Sequence, residues 1–226
     1  MDLGFEGRVV VVAGGRGYIG RAVVDRLRAE GAVVVVASRE PGEGGVALDL
    51  VDPASVDAAV RRVLDEHGRI DGLVVTAAPS ARTLDPAKNS DPEQILTALD
   101  AKALGFLRLA AAVTPAMREA GYGRIVGVSG QNAYLTGNTT GAVRNAALVI
   151  VAKNLADELA GTGVAVNTVN PGPVVDDPSA RVPEHGPGES SPQQIADLVA
   201  FLVSPLSAVS GEAVAIGHRV RGVTAF

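Results

Sequence analysis

The run VVVVAGGRGYIGRAVVDRLRAEGAVVVVASR, residues 9–39, decides the fold. Val9 to Ala13 form a short β-branched run, the pattern of a strand buried on both faces. Gly14, Gly15, Gly17 and Gly20 follow at once. Ile19, Ala22, Val23 and Leu27 then recur at helical spacing until Gly31 ends the helix, and a second apolar strand runs from Val33 to Ala37. Strand, glycine turn and helix N-terminus in this order make a pyrophosphate site. Glycine admits close approach of the backbone to phosphate, and free N–H groups with the helix dipole favour the anion. The glycine spacing alone is weak; the strand–turn–helix–strand setting sets it apart from an ordinary tight connection.

The same alternation continues along the chain. Asp52-Pro53 starts a helix whose buried stripe is Val56, Ala59, Val60, Val63 and Leu64. Gly72 to Thr76 is a strand, and Asp91-Pro92 opens a long helical segment towards Ala120, within which Gly105 signals close packing. Arg124 to Ser129 and Val164 to Val169 are strands flanking a helix from about Gly141 to Ala160. Ser191-Pro192 caps a helix to Val203, and Ala213 to Ile216 closes the sheet. Strict alternation predicts an α/β fold, a doubly wound parallel sheet covered by helices on both faces. With 226 residues, 47% of them hydrophobic, residues 1–226 are expected to form one domain around a core of Val, Ala and Leu. Residues 175–191, VDDPSARVPEHGPGESS, read either as a surface connection or as a lid on the substrate side.

Composition narrows the function classes. A net charge of −5 without a basic run or aromatic platform argues against a nucleic-acid partner. The absence of Cys removes disulfides, Cys-ligated metal and a thiol nucleophile, and the three His residues stand at no metal-ligand spacing. The N-terminus lacks an apolar signal core and no apolar stretch reaches membrane-spanning length, so a cytoplasmic protein with no membrane partner is expected.

Over essentially its full length the chain resembles the short-chain dehydrogenase/reductase family. The marks are AGGRGYIG at the first turn, DLVD at Asp49 to Asp52, GRIVGVSG at Gly123 to Gly130, NTVNPGPV at Asn167 to Val174, and the closing SPQQIADLVAFLVSP and SGEAVAIG. The resemblance implies a Rossmann-like sheet of about seven strands and a nicotinamide cofactor. It assigns the cofactor to Gly14, Arg16, Gly17, Tyr18, Ile19 and Gly20 of the first turn. Further contacts would come from Asp49 and Leu50 at the adenine, from Ala77 and Ala78 where an Asn-Asn-Ala-Gly motif usually stands, and from Pro171, Gly172 and Val174. Pro79 replaces that motif's last glycine. Gly14, Gly17 and Gly20 match the G-x-x-G-x-x-G of the family's extended branch, whereas the short chain matches its reductase branch. At the end of the second strand, NAD-binding members carry an acid; Ser38 and Arg39 stand there instead, and Arg16 lies in the glycine loop. Two guanidinium groups and no carboxylate favour a 2′-phosphate, hence NADP(H), with solvated surface arginines as the alternative.

The resemblance breaks at the chemistry. Family reductases use a Tyr as proton donor, a Lys four residues later and a Ser at the preceding strand end. Aligned on NPG, the Tyr position is Gly141, the Lys position is Asn145, the Ser position is Gly130 and a supporting Asn position is Lys102; no Tyr-x-x-x-Lys occurs in the chain. The polar segment SGQNAYLTGNTTGAVRN offers replacements. Ser129 is a candidate polariser or a satisfier of strand-end backbone. Tyr134 is a candidate acid able to swing into the space at Gly141, or a ring packed over a loop. Arg144 is a candidate anion clamp or an interface or surface charge, and Asn145 can bond a ribose hydroxyl. The expected function is NADP-dependent oxidoreduction of a small organic substrate with non-standard catalytic groups. A non-redox lyase, dehydratase or isomerase, or a catalytically silent nucleotide-binding subunit, are the alternatives. Ala-rich helices near 92–120 and 141–160 suggest a homodimer or homotetramer.

Overall fold

The computed structural model describes residues 2–78 and 84–223. Seven parallel strands form one sheet: β1 (Val9–Ala13), β2 (Val33–Ser38), β3 (Val46–Ala47), β4 (Gly72–Val75), β5 (Gly123–Val128), β6 (Val164–Pro171) and β7 (Ala213–Ile216), in the spatial order β3-β2-β1-β4-β5-β6-β7. The helices are α1 (Tyr18–Ala29), α2 (Pro53–His67), α3 (Pro92–Leu99), α4 (Gly105–Glu119), α5 (Thr139–Glu158) and α6 (Pro192–Val203). This is the doubly wound, Rossmann-like α/β fold that the alternation predicts. Val23, Val24 and Leu27 of α1 and Ile195, Val199 and Leu202 of α6 pack on one face, with Val10 and Val12 of β1 between them. On the other face, Val56 and Val60 of α2, Phe106 and Val113 of α4 and Leu148 and Leu155 of α5 cover Val9, Val11 and Ile125.

The strand order reverses between β1 and β4, and a crevice opens there beyond the carboxyl ends of the strands. Three features were not legible in the residue pattern. Strand β3 is two residues long, pairing Val46 with Ala37 and Ala47 with Ser38, too short for any periodicity to register. The long segment from Pro92 is one continuous helical rod with a π-helical turn, Asp100–Leu104, between α3 and α4. Tyr134 lies on a short 3₁₀ turn, Gln131–Tyr134. Gly105 is indeed a point of close approach, since a Cβ there would stand 2.8 Å from the Leu50 Cβ. Helix α5 begins at Thr139, two residues before the sequence-based start, because the Asn138 side chain accepts the Gly141 N–H at 2.8 Å as an N-cap.

Candidate active site

The first half of the site is backbone. Gly14 adopts φ +83°, and a Cβ on it would lie 2.6 Å from the Ala77 nitrogen; a Cβ on Gly20 would lie 2.1 Å from the Gly14 carbonyl oxygen. These glycines let β1, α1 and the end of β4 come together. Helix α1 starts at N-cap Gly17 with no side-chain cap and no acid in its first turn, which leaves its N-terminal N–H groups for an external anion. Gly14, Arg16 and Gly17 form one wall of a cleft of about 660 Å³; Ser38, Arg39, Asp49, Leu50, Thr76, Ala77 and Ala78 line the rest, with Ala101 of the π-helical turn at its edge.

The sequence-assigned cofactor residues therefore converge, with distinctions among them. The Ser38 hydroxyl is buried and has no hydrogen-bond partner among the described residues, an orphaned polar atom of the kind a ribose hydroxyl or a phosphate would satisfy. Arg16 is held across the end of β2 by donating from Nη1 to the Glu40 carbonyl at 2.6 Å, and Arg39 is exposed beside it. The Ile19 side chain is half-buried and packs against the α1–α6 core. Tyr18 is turned outward, and its hydroxyl donates to Asp176 Oδ1 at 2.5 Å, tying the glycine turn to the 175–191 segment. Pro171, Gly172 and Val174 lie at the end of β6, two strands beyond β4. A Cβ on Gly172 would meet the Gly188 carbonyl oxygen at 2.3 Å, and Val174 bridges Ser190, so the 175–191 segment is pinned at its base. Pro79 lies outside the described residues.

The second half is built from side chains at the ends of β5 and α5. Ser129 is buried, and its hydroxyl donates to the Asn145 carbonyl at 3.0 Å, so it serves backbone and is not presented as a free polariser. A Cβ on Gly130 would lie 3.1 Å from Asn145 Nδ2, which places the Asn145 amide directly against the strand end; its Oδ1 is buried without a partner among the described residues. Arg144 is only 6% exposed, which corrects the surface-charge alternative, and burial pushes its guanidinium below the usual value. The Tyr134 ring lies beneath the Arg219 guanidinium, 5.7 Å from its centroid. A Cβ at Gly141 would already stand 3.0 Å from the Asn138 Cγ, so the swing into that space, one of the two readings of Tyr134, meets the N-cap side chain.

The sequence marks one buried charge only as standing at the supporting-Asn position. Lys102, on the π-helical turn, is 7% exposed, and its Nζ donates to the Ser129 carbonyl at 3.2 Å. Burial, reinforced by the Arg144 charge, pulls its pKa from 10.5 to about 7. The available signal was a lone Lys inside the apolar run ALDAKALGF, a position where a solvated lysine has no reason to stand. Among the described residues no group of three or more His, Cys, Asp or Glu side chains is arranged to hold a metal ion, and no helix is long and apolar enough to cross a membrane.

A parallel sheet with its crevice at the strand-order reversal, a glycine turn and an uncapped helix start define a dinucleotide-binding α/β protein. Residues 12–217 match the family model described as enoyl-(acyl carrier protein) reductase, and the chain belongs to this short-chain dehydrogenase/reductase family of oxidoreductases. It is 31% identical over 241 residues to the 3-oxoacyl-[acyl-carrier-protein] reductase of Escherichia coli, covering 93% of this chain and 96% of that protein. Levodione reductase shares the fold with a TM-score of 0.81 at 24% identity, covering 94% of this chain and 97% of that one. A structure titled ribose-5-phosphate isomerase from Brucella melitensis superposes with a TM-score of 0.82 at 28% identity, covering 96% and 93%.

Proposed function

We propose that the protein is an NADP(H)-dependent oxidoreductase acting on a small oxo or hydroxy compound, with catalytic groups other than the usual tyrosine and lysine. The observation that carries the reading is the cleft itself: an uncapped α1 N-terminus at one end, and an orphaned Ser38 hydroxyl between Arg16 and Arg39 at the other. The α1 N–H groups and the glycine turn would hold the pyrophosphate, Ser38 and Asp49 the adenosine end, and Arg16 and Arg39 a 2′-phosphate. Asn145 would bond the nicotinamide ribose and Arg144 would clamp an anionic substrate group, with Ser129 holding the strand end in place. A nicotinamide bound there supplies a hydride to a carbonyl carbon or accepts one from an alcohol. The 175–191 segment, anchored to the glycine turn through Tyr18 and Asp176, would form the substrate-side wall.

The test is fluorescence titration with NADPH and NADH, followed by cofactor oxidation with 3-oxoacyl thioesters, cyclic diketones and simple ketones. NADPH should bind about tenfold or more tightly than NADH, because charge-assisted bonds to phosphate are each worth ~1.5–3 kcal/mol, and Arg39→Ala should abolish most of that preference. Equal affinities would refute the NADP assignment. The likeness to a structure titled as an isomerase favours a second reading, non-redox chemistry on the same scaffold; conversion of a sugar phosphate with no net change in cofactor would select it. Assembly into a homodimer or homotetramer is supported by Leu96 and Ile150, 63% and 61% exposed on α3 and α5. Light scattering that shows a monomer at micromolar concentration refutes it.

A further inference from the structure

Lys102 is a buried amine for which the described residues supply one hydrogen-bond acceptor. An ammonium carries three N–H groups, yet the Ser129 carbonyl is the acceptor that meets it, and it forms no ion pair among the described residues. The side chains around it give no compensating anion. From its own turn, Asp100 is engaged by Arg108 at 2.5 Å; from α3, Glu93 is exposed in the first turn; from α5, Arg144 adds a second positive charge. A cation so placed costs stability and brings none of the gain of a paired one. Its position is also particular. The preceding residue, Ala101, lines the cleft; the Lys102 amine meets the Ser129 carbonyl, and the Asn145 side-chain amide, from another helix, stands against the next residue, Gly130. π-helical turns of this kind recur at functional sites.

We propose that Lys102 is the proton donor and acceptor of the reaction, giving its Nζ proton to the substrate's carbonyl oxygen on reduction and retrieving it on oxidation. The inference rests on the oxidoreductase reading above and adds the acid–base residue. The hydride forms the new C–H bond, the carbonyl π pair closes the O–H bond with the Nζ proton, and the neutral amine left behind is reprotonated from solvent as product leaves. An amine titrating near neutrality is poised for both directions at physiological pH, which an exposed lysine is not.

Two measurements test this separately. The chain has three lysines, Lys88, Lys102 and Lys153, and the other two are exposed, so NMR of lysine labelled with 13C at Cε resolves them. One signal should titrate near pH 7 without any substrate and vanish in Lys102→Met; three signals all titrating above pH 9 overturn the proposal. In turnover, reduction by the unmodified protein should fall as pH rises past about 7. Lys102→Met should lower kcat/KM by ~10²–10⁴-fold and erase that limb while NADPH still binds. Lys102→Arg, which stays charged, should bind NADPH and lose the limb as well. Wild-type rates and an unchanged limb in Lys102→Met overturn this inference alone. An absence of turnover with every substrate overturns the functional reading, and this inference with it.

Discussion

Around the β1–α1 turn close packing is set by backbone, whereas at the ends of β5 and α5 it is set by side chains, and the two regions tolerate change very differently. At the first, Gly14 and Gly20 are held by contact distances that no side chain can respect. At the second, Gly130 and Gly141 have neighbours that are the ends of flexible side chains, those of Asn145 and Asn138. A backbone-built site survives only with its glycines, so it keeps its sequence signature. A side-chain-built site can be remade one residue at a time on an unaltered frame.

The largest expected effect sets one substitution against itself in the two regions. Gly20→Ala drives a methyl into the Gly14 carbonyl, and overpacking of this kind costs ~1–3 kcal/mol. Because the strained atoms are those of the phosphate turn, NADPH binding should be lost in fluorescence titration. Gly141→Ala asks only the Asn138 side chain to yield, so NADPH should bind as in the unmodified protein. Equal loss in both would erase the distinction between a backbone-built and a side-chain-built half.

Next in size is the stability held back by Lys102. Its folded pKa, about 7, lies below its ordinary value of 10.5, so the unfolded chain binds the extra proton between those values and stability rises with pH across that window. The full penalty is present below pH 7 and is lost as pH approaches 10.5. Lys102→Met should therefore stabilise the fold by a few kcal/mol. The gap in unfolding free energy should be widest at and below pH 7 and close towards pH 10; a gap independent of pH would show that the amine is not buried as described.

The smallest effect concerns the link between the two regions. Tyr18→Phe removes the hydrogen bond to Asp176, an exposed contact worth ~0.5–1.5 kcal/mol at most. NADPH dissociation in stopped flow should quicken by less than about tenfold. No change would mean that the 175–191 segment holds its place through its Val174–Ser190 base alone.

Much of the fold was legible because burial on both faces writes itself into a strand. Val9 to Ala13 is buried at every position and has no polar member; Val33 to Ala37 is as apolar although Val33 is exposed, and Gly14 to Gly20 lie between them. Strand β3 was not legible, since two residues held by two ladder pairs leave no pattern. Nor was the π-helical turn, whose residues DAKAL read as ordinary helix. At the cleft, Arg16 was readable from the glycine loop and Ser38 and Arg39 from the place of the second strand's end. Tyr134 and Arg144 were readable only as polar residues in a polar segment. Whether such a residue faces solvent, a core or a ligand depends on the helix packed over it, and local spacing does not encode that.

The sequence by itself determined the order of strands and helices, the glycine turn and the absence of a Tyr-x-x-x-Lys pair, because each depends on neighbours along the chain. Only the tertiary structure decided what Lys102 is. The residue meets a carbonyl 27 positions away, beside a helix whose own carbonyl binds Ser129 across 16 positions, and it does so with 7% of its surface left to solvent. Charge state follows from burial and from the fields of distant groups, and those exist only once the parallel sheet has brought the end of β5, the π-helical turn and the start of α5 together.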